Sequence, residues 1–106
     1  MVKSEIRAKL REFCSALDKR GIRVSKVILY GSYASGKFHE NSDIDVAIVS
    51  PDFGKDRFEE GVKLLKIAVK IDPRIEPIPI SLRSYKNDTW VPLIYEIRKR
   101  GIELKL

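Results

Sequence analysis

The run Leu29-Tyr30-Gly31-Ser32-Tyr33-Ala34-Ser35-Gly36, followed after a polar stretch by Ser42-Asp43-Ile44-Asp45-Val46, decides how the rest of the chain is read. Its upstream side, Val24-Ser25-Lys26-Val27-Ile28-Leu29-Tyr30, is rich in β-branched residues and predicts a buried strand within residues 22–30. Gly31-Ser32 ends that strand and opens a short helical turn, which gives way to a loop reaching Ser42. Asp43-Ile44-Asp45-Val46-Ala47-Ile48-Val49 predicts a second strand. Alternate strand residues share a face, so the carboxylates of Asp43 and Asp45 converge.

Two unneutralised carboxylates about 4 Å apart repel by about 4 kcal/mol at an effective dielectric of about 20, so such a pair beside a core calls for a cation. Magnesium suits it, being a hard ion that takes carboxylate oxygens, water and substrate phosphates; two such ions stabilise the attacking and leaving oxygens of an in-line displacement. The Gly31-Ser32 turn complements the pair. Backbone amides of a helix's first turn face an anion, glycine permits close approach, and Ser32 adds a hydroxyl donor. The turn is read as a cradle for the β and γ phosphates of a nucleoside triphosphate, with the aspartates holding metal at the α phosphate. An Asp-x-Asp alone is more often a strand end with solvated acids, whereas Gly-Ser-x10-Asp-x-Asp arises by chance in roughly one chain of this length in a thousand.

Outward from this centre, Ile6, Leu10, Phe13 and Leu17 recur at spacings of four, three and four and predict a helix over about residues 4–19, with Ser4 as its cap and Gly21 as its stop. Phe58, Val62, Leu65 and Val69 repeat that spacing after a Pro51-Asp52/Gly54 loop, predicting a second amphipathic helix that covers the sheet with this stripe and ends near Asp72-Pro73. Ile75-Glu76-Pro77-Ile78-Pro79-Ile80-Ser81 alternates with period two, but its prolines cannot donate to a ladder, which assigns it to a sheet edge or to partial pairing. Residues 90–100 predict a third helix with Trp90, Ile94 and Ile97 inward, a basic last turn and Gly101 at its close. Residues 102–106 are a short terminal strand or a frayed end. The expectation is an α/β (α+β) fold, a mixed sheet flanked by helices, with residues 1–106 as a single domain.

The quoted motif resembles the signature of the minimal nucleotidyltransferases, relatives of the DNA polymerase β superfamily. That resemblance implies a nucleotidyltransferase-like fold and metal-dependent transfer of a nucleoside monophosphate, AMP from ATP in the first instance, to an acceptor hydroxyl. It implies Asp43, Asp45 and a third acid as catalytic metal ligands, and Gly31 and Ser32 at the triphosphate. The third acid is best matched by Glu76; Asp72 competes, although its place before Pro73 suggests a cap or turn. The resemblance also implies pairing with a small helical HEPN-type protein as antitoxin to a ribonuclease toxin, in some cases by attaching AMP to a toxin tyrosine. One departure concerns Ser35, where many members of the family carry Arg; Lys37 is a candidate replacement at the triphosphate, as a point charge without the guanidinium's bidentate geometry.

Several other readings are open. Gly31 to Lys37 matches most of a P-loop, but Phe38 stands where Ser or Thr must ligate magnesium. His39 is a lone loop histidine, and Tyr30, Tyr33, Tyr85 and Tyr95 either stack a base or pack. Arg98-Lys99-Arg100 is first a helix terminus and second a contact for nucleic acid, so direct nucleic-acid binding ranks below a protein partner. A non-catalytic module that neutralises a partner by contact is the alternative from another class, and transfer to a small molecule shares the chemistry. The formal charge of +6, from 21 Lys and Arg against 15 Asp and Glu, favours anionic partners without naming one. The lone Cys14 reads as a small buried apolar group and favours a cytoplasmic setting. No run approaches the roughly 20 apolar residues of a membrane span, and the charged terminus Met1-Val2-Lys3-Ser4-Glu5 is unlike a secretory signal. Assembly with itself or with a different chain is compatible with all of this.

Overall fold

A computed structural model describes residues 3–39 and 41–106. Met1, Val2 and Glu40, over which the readings of the terminus and the loop extend, lie outside the described residues. Four strands form one mixed sheet in the order β3-β2-β1-β4: β1 is Lys26–Leu29, β2 Ile44–Ser50, β3 Ile75–Ser81 and β4 Ile102–Leu104. β2 runs antiparallel to β1 and parallel to β3, and β4 pairs antiparallel with β1. The β-branched run of β2 suits a central strand covered on both faces; from Val46 to Ser50 every residue is buried.

Helices α1 (Ser4–Lys19) and α3 (Arg57–Val69) supply one face. Ile6, Leu10, Phe13 and Leu17 of α1 are buried there as the spacing requires, against Val27, Leu29, Ile44, Val46 and Ile48. The other face holds Ile28, Ala47, Val49 and Ile80 under Ile94 and Ile97 of α5 (Pro92–Arg100), with the short helix α4 (Leu82–Asn87) alongside. No described helix is long and apolar enough to cross a membrane.

The α3 stripe differs from its expected register. Phe58, Leu65 and Val69 are exposed, whereas Leu64, Ile67 and Ala68 are buried. This helix has two apolar flanks at helical spacing, and periodicity cannot choose between them. Packing selects the flank where Gly61 approaches the edge strand, so that an added Cβ would lie 3.8 Å from Pro79 Cδ. Trp90 also differs, standing exposed in a turn before α5 because Pro92 sets the first helical residue. Ser4 is the first residue of α1 rather than its cap; Lys3 holds that position without a side-chain bond.

Helix α4 was not foreseen. Its sequence signal is Ser81, whose hydroxyl accepts from the Ser84 N–H at 3.1 Å as an N-cap. β3 is an edge strand, as its prolines suggested, yet it pairs with β2 along all seven residues. Residues 102–104 do form a strand, which resolves the two readings of the C-terminal segment.

Candidate functional site

The antiparallel β1–β2 pair sets the end of β1 beside the start of β2, and parallel β3 starts there as well. One residue past β1, the Tyr30 N–H donates to the Asp45 carbonyl at 3.0 Å, and Asp45 stands opposite Glu76 in the β2–β3 register. Tyr30, Asp45 and Glu76 therefore form a row across three strands, on the face that carries Ile28, Ala47 and Val49. Asp43 lies one residue before β2, exposed, and two residues from Asp45.

Between the two acids, Ile44 is buried on the opposite face, and its N–H donates to the Arg74 carbonyl at 2.7 Å. Arg74 is fixed by buried Asp72, which accepts from the Arg74 backbone at 2.9 Å and from its guanidinium at 2.8 Å. Those bonds hold the Asp72 carboxyl below the usual carboxylate range. Asp72 thus belongs to the turn that aligns β3 with β2, while Glu76 is exposed beside Asp45.

At the end of β1, Gly31 adopts φ 69° and ψ −141° and opens the four-residue turn α2 (Ser32–Ser35). A Cβ on Gly31 would run into Asp45 Oδ2 and come within 3.3 Å of its Cγ. Glycine alone lets the turn lie on the carboxylate. The turn is closed by the Ser35 N–H donating to Gly31 O at 3.1 Å and the Lys37 N–H to Ser32 O at 3.0 Å. Buried Tyr33 anchors it by stacking on Phe38 at 4.4 Å between ring centres.

A family description, the nucleotidyltransferase domain, matches residues 7–102, which include this turn, both aspartates and Glu76. The chain belongs to that family. Among relatives of this nucleotidyltransferase is a Methanocaldococcus jannaschii protein named "Putative protein adenylyltransferase MJ0141", 35% identical over 86 residues that span 77% of this chain and 80% of the relative. A second protein of that organism, "Putative protein adenylyltransferase MJ0604", is 52% identical over 42 residues, 38% of this chain and 41% of its own. Among solved structures, a toxin-antitoxin crystal structure with AMP-PNP superimposes with a TM-score of 0.59 at 25% identity, covering 92% of this chain and 71% of that one. The resemblance to minimal nucleotidyltransferases and the mixed sheet flanked by helices both hold.

The electrostatics of the nucleotidyltransferase's row are those of uncompensated negative charge. Burial, and then the charge of Asp43, raise the Asp45 carboxyl above its ordinary range. The Tyr30 phenol is pushed up to about 12 by burial and then by the Asp45 and Glu76 charges, so it stays a protonated donor. The side chains of the row, Asp45, Glu76 and Tyr30, offer carboxylate and hydroxyl oxygens, a donor chemistry that suits a hard divalent cation rather than zinc or copper. The row does not form a closed cage: among the described residues, no three His, Cys, Asp or Glu gather into a group that could hold a metal.

The remaining sequence candidates fall to one side. Lys37 is exposed on the loop after α2, its ammonium without an ion pair among the described residues. His39 uses Nδ1 to accept from the Asn41 N–H at 3.3 Å, a contact local to its loop. Tyr85 packs under the Arg98 guanidinium, and Arg98 donates to the Tyr85 carbonyl at 2.6 Å, tying α5 to the end of α4. Burial pushes the Cys14 thiol up to about 11, which keeps it a thiol. Arg74 is the residue that sequence reading missed; its part is played by its backbone, which leaves no pattern in side-chain types.

Proposed function

We propose that this nucleotidyltransferase moves AMP from ATP, or a nucleoside monophosphate from another triphosphate, to a hydroxyl on a partner protein, as the antitoxin of a HEPN/MNT pair in the cytoplasm. The observation that carries this reading is the contact of the Gly31 backbone with the Asp45 carboxylate, which puts the turn and the acid row against each other. The named adenylyltransferase relative supports AMP and a protein acceptor, and the toxin-antitoxin neighbour with AMP-PNP supports the nucleotide and a partner.

In this reading Asp43 and Asp45 would hold magnesium together with the triphosphate's own oxygens, and Glu76 would be the third acid to join them; the ion when bound would neutralise charge at the α phosphate and on the departing pyrophosphate. Gly31 and Ser32 receive the β and γ phosphates, and Lys37 meets the triphosphate as a point charge. The acceptor oxygen attacks the α phosphorus, the bond to the bridging β oxygen breaks, and pyrophosphate leaves in line. Glu76 takes the hydroxyl proton in this reading, which its exposed position opposite Asp45 supports.

The test is to incubate the chain with labelled ATP, magnesium and a co-purified partner, and to look for a mass gain of one AMP on the partner. Transfer that persists in Asp43→Asn or Asp45→Asn removes the metal-ligand role. A second reading, neutralisation by contact alone, is favoured by the open arrangement of the three acids and by Ser35 in place of Arg. An Asp43→Ala chain that still protects cells from the partner supports contact; loss of protection with association intact supports transfer.

A further inference from the structure

Ser42, Ser50 and Asp72 are the buried non-aromatic polar side chains among the described residues. Asp72 is taken up by Arg74, and Ser50 closes the turn after β2 by accepting from the Asp52 N–H at 3.0 Å. Ser42 stands one residue before Asp43. Hiding a hydroxyl costs hydration unless a partner replaces water, so the partner shows what the burial serves.

Ser42 is joined to His39 twice. Its Oγ accepts from the His39 N–H at 2.8 Å, and its own N–H donates to the His39 carbonyl at 3.0 Å. His39 follows Phe38, which stacks on buried Tyr33 at 4.4 Å and packs against the core beneath α1. Tyr33 belongs to α2, directly after Ser32. A path of packed rings and hydrogen bonds thus runs from the Gly31-Ser32 turn to the residue before Asp43.

Asp43 needs such a hold. β2 begins at Ile44, its register with β3 starts there, and its register with β1 reaches only Val46, so Asp43 stands outside both ladders. On one side the chain is fixed by the Ile44 N–H donating to the Arg74 carbonyl at 2.7 Å. On the other side it is fixed by Ser42. An exposed residue between two anchored neighbours keeps one backbone direction, whereas the end of a loose loop samples many.

We propose that Ser42 is a positioning residue, whose hydroxyl locks the loop so that the Asp43 carboxylate keeps its place relative to the Gly31-Ser32 turn. The metal-ligand role of Asp43 rests on the preceding reading; its placement by Ser42 does not. Asp45, carried inside β2, owes nothing to this device.

Amide hydrogen exchange and backbone NMR relaxation on the metal-free full chain read the placement directly. In the wild type the His39 amide exchanges slowly and the Asp43 amide is as ordered as that of Asp45. In Ser42→Ala the His39 amide exchanges about tenfold faster and the Asp43 order parameter falls below about 0.6, with Asp45 unchanged. Ser42→Thr, which keeps a hydroxyl, restores both. Ser50→Ala is the matched control, a buried serine that accepts one backbone bond at the far end of β2; it lowers the melting temperature as Ser42→Ala does and leaves Asp43 ordered. In transfer from ATP, Ser42→Ala lowers kcat by about tenfold with little change in KM, since the seat of the triphosphate on Gly31-Ser32 is untouched. Asp43 already mobile in the wild type, still ordered in Ser42→Ala, or not recovered in Ser42→Thr overturns the proposal. So does a Ser42→Ala chain that no longer folds, because the hydroxyl is then a support of the fold alone. Ordering of Asp43 that depends on Ser42, in a chain that neither binds magnesium nor transfers a nucleotide, sinks the preceding reading and sustains this one.

Discussion

The Gly31 backbone lies against the Asp45 carboxylate with no room for a side chain between them. A turn and an acid are thereby held in one rigid relationship, although fourteen positions separate them in the chain. Gly31→Ala must both populate a positive φ and displace Asp45. We expect a loss of about 1–3 kcal/mol in stability, seen in urea denaturation. Nucleotidyl transfer should fall by about a hundredfold, measured at a temperature where the variant is folded.

Asp45 bears a cost in the metal-free protein. Its folded carboxyl titrates above the unfolded value of 3.8, so ionised Asp45 opposes folding at neutral pH, and that penalty fades as pH falls through the folded pKa. Asp45→Asn should therefore be at least as stable as the wild type at pH 7 without metal, with the gap closing on acidification. Added magnesium should raise the melting temperature of the wild type and leave the variant unmoved. Calorimetric scans across pH, with and without the ion, check both.

Asp72 and Glu76 part company in their effects. Asp72→Asn loosens Arg74, whose carbonyl holds Ile44 between the two aspartates, and should cost about 1–3 kcal/mol of stability. Glu76→Gln, on an exposed side chain, should unfold like the wild type and lose metal affinity and transfer. Denaturation curves and magnesium titrations on the two variants separate the roles.

Neighbouring leucines of α3 test its packing register. Leu64 is fully buried and Leu65 is 47% exposed. Leu64→Ala should cost about 2–5 kcal/mol, and Leu65→Ala, which opens no cavity, should stay within about 1 kcal/mol of the wild type. Equal losses would show that the helix is turned differently.

Much of this architecture was legible because it is written in local patterns. The α1 stripe, the buried strand before Gly31, the strand that follows Asp43 and the edge character of the proline-bearing strand each follow from residues within a few positions of one another. The α3 face and Trp90 were misread for one shared reason: spacing marks which residues are apolar, but the partner surface decides which of them are covered. Phe58 and Trp90 look like core in sequence and end on the two sides of a groove.

The amino-acid order alone determined the strand end at Gly31-Ser32, the strand that carries Asp45 and the membership of a family. Only the tertiary structure decided that Glu76 comes to stand beside Asp45, that Asp72 is engaged by Arg74, and that the Gly31 backbone touches a carboxylate. Those are contacts between segments brought together by strand register and helix packing. Their distances depend on how whole surfaces fit, which no short window of residues contains.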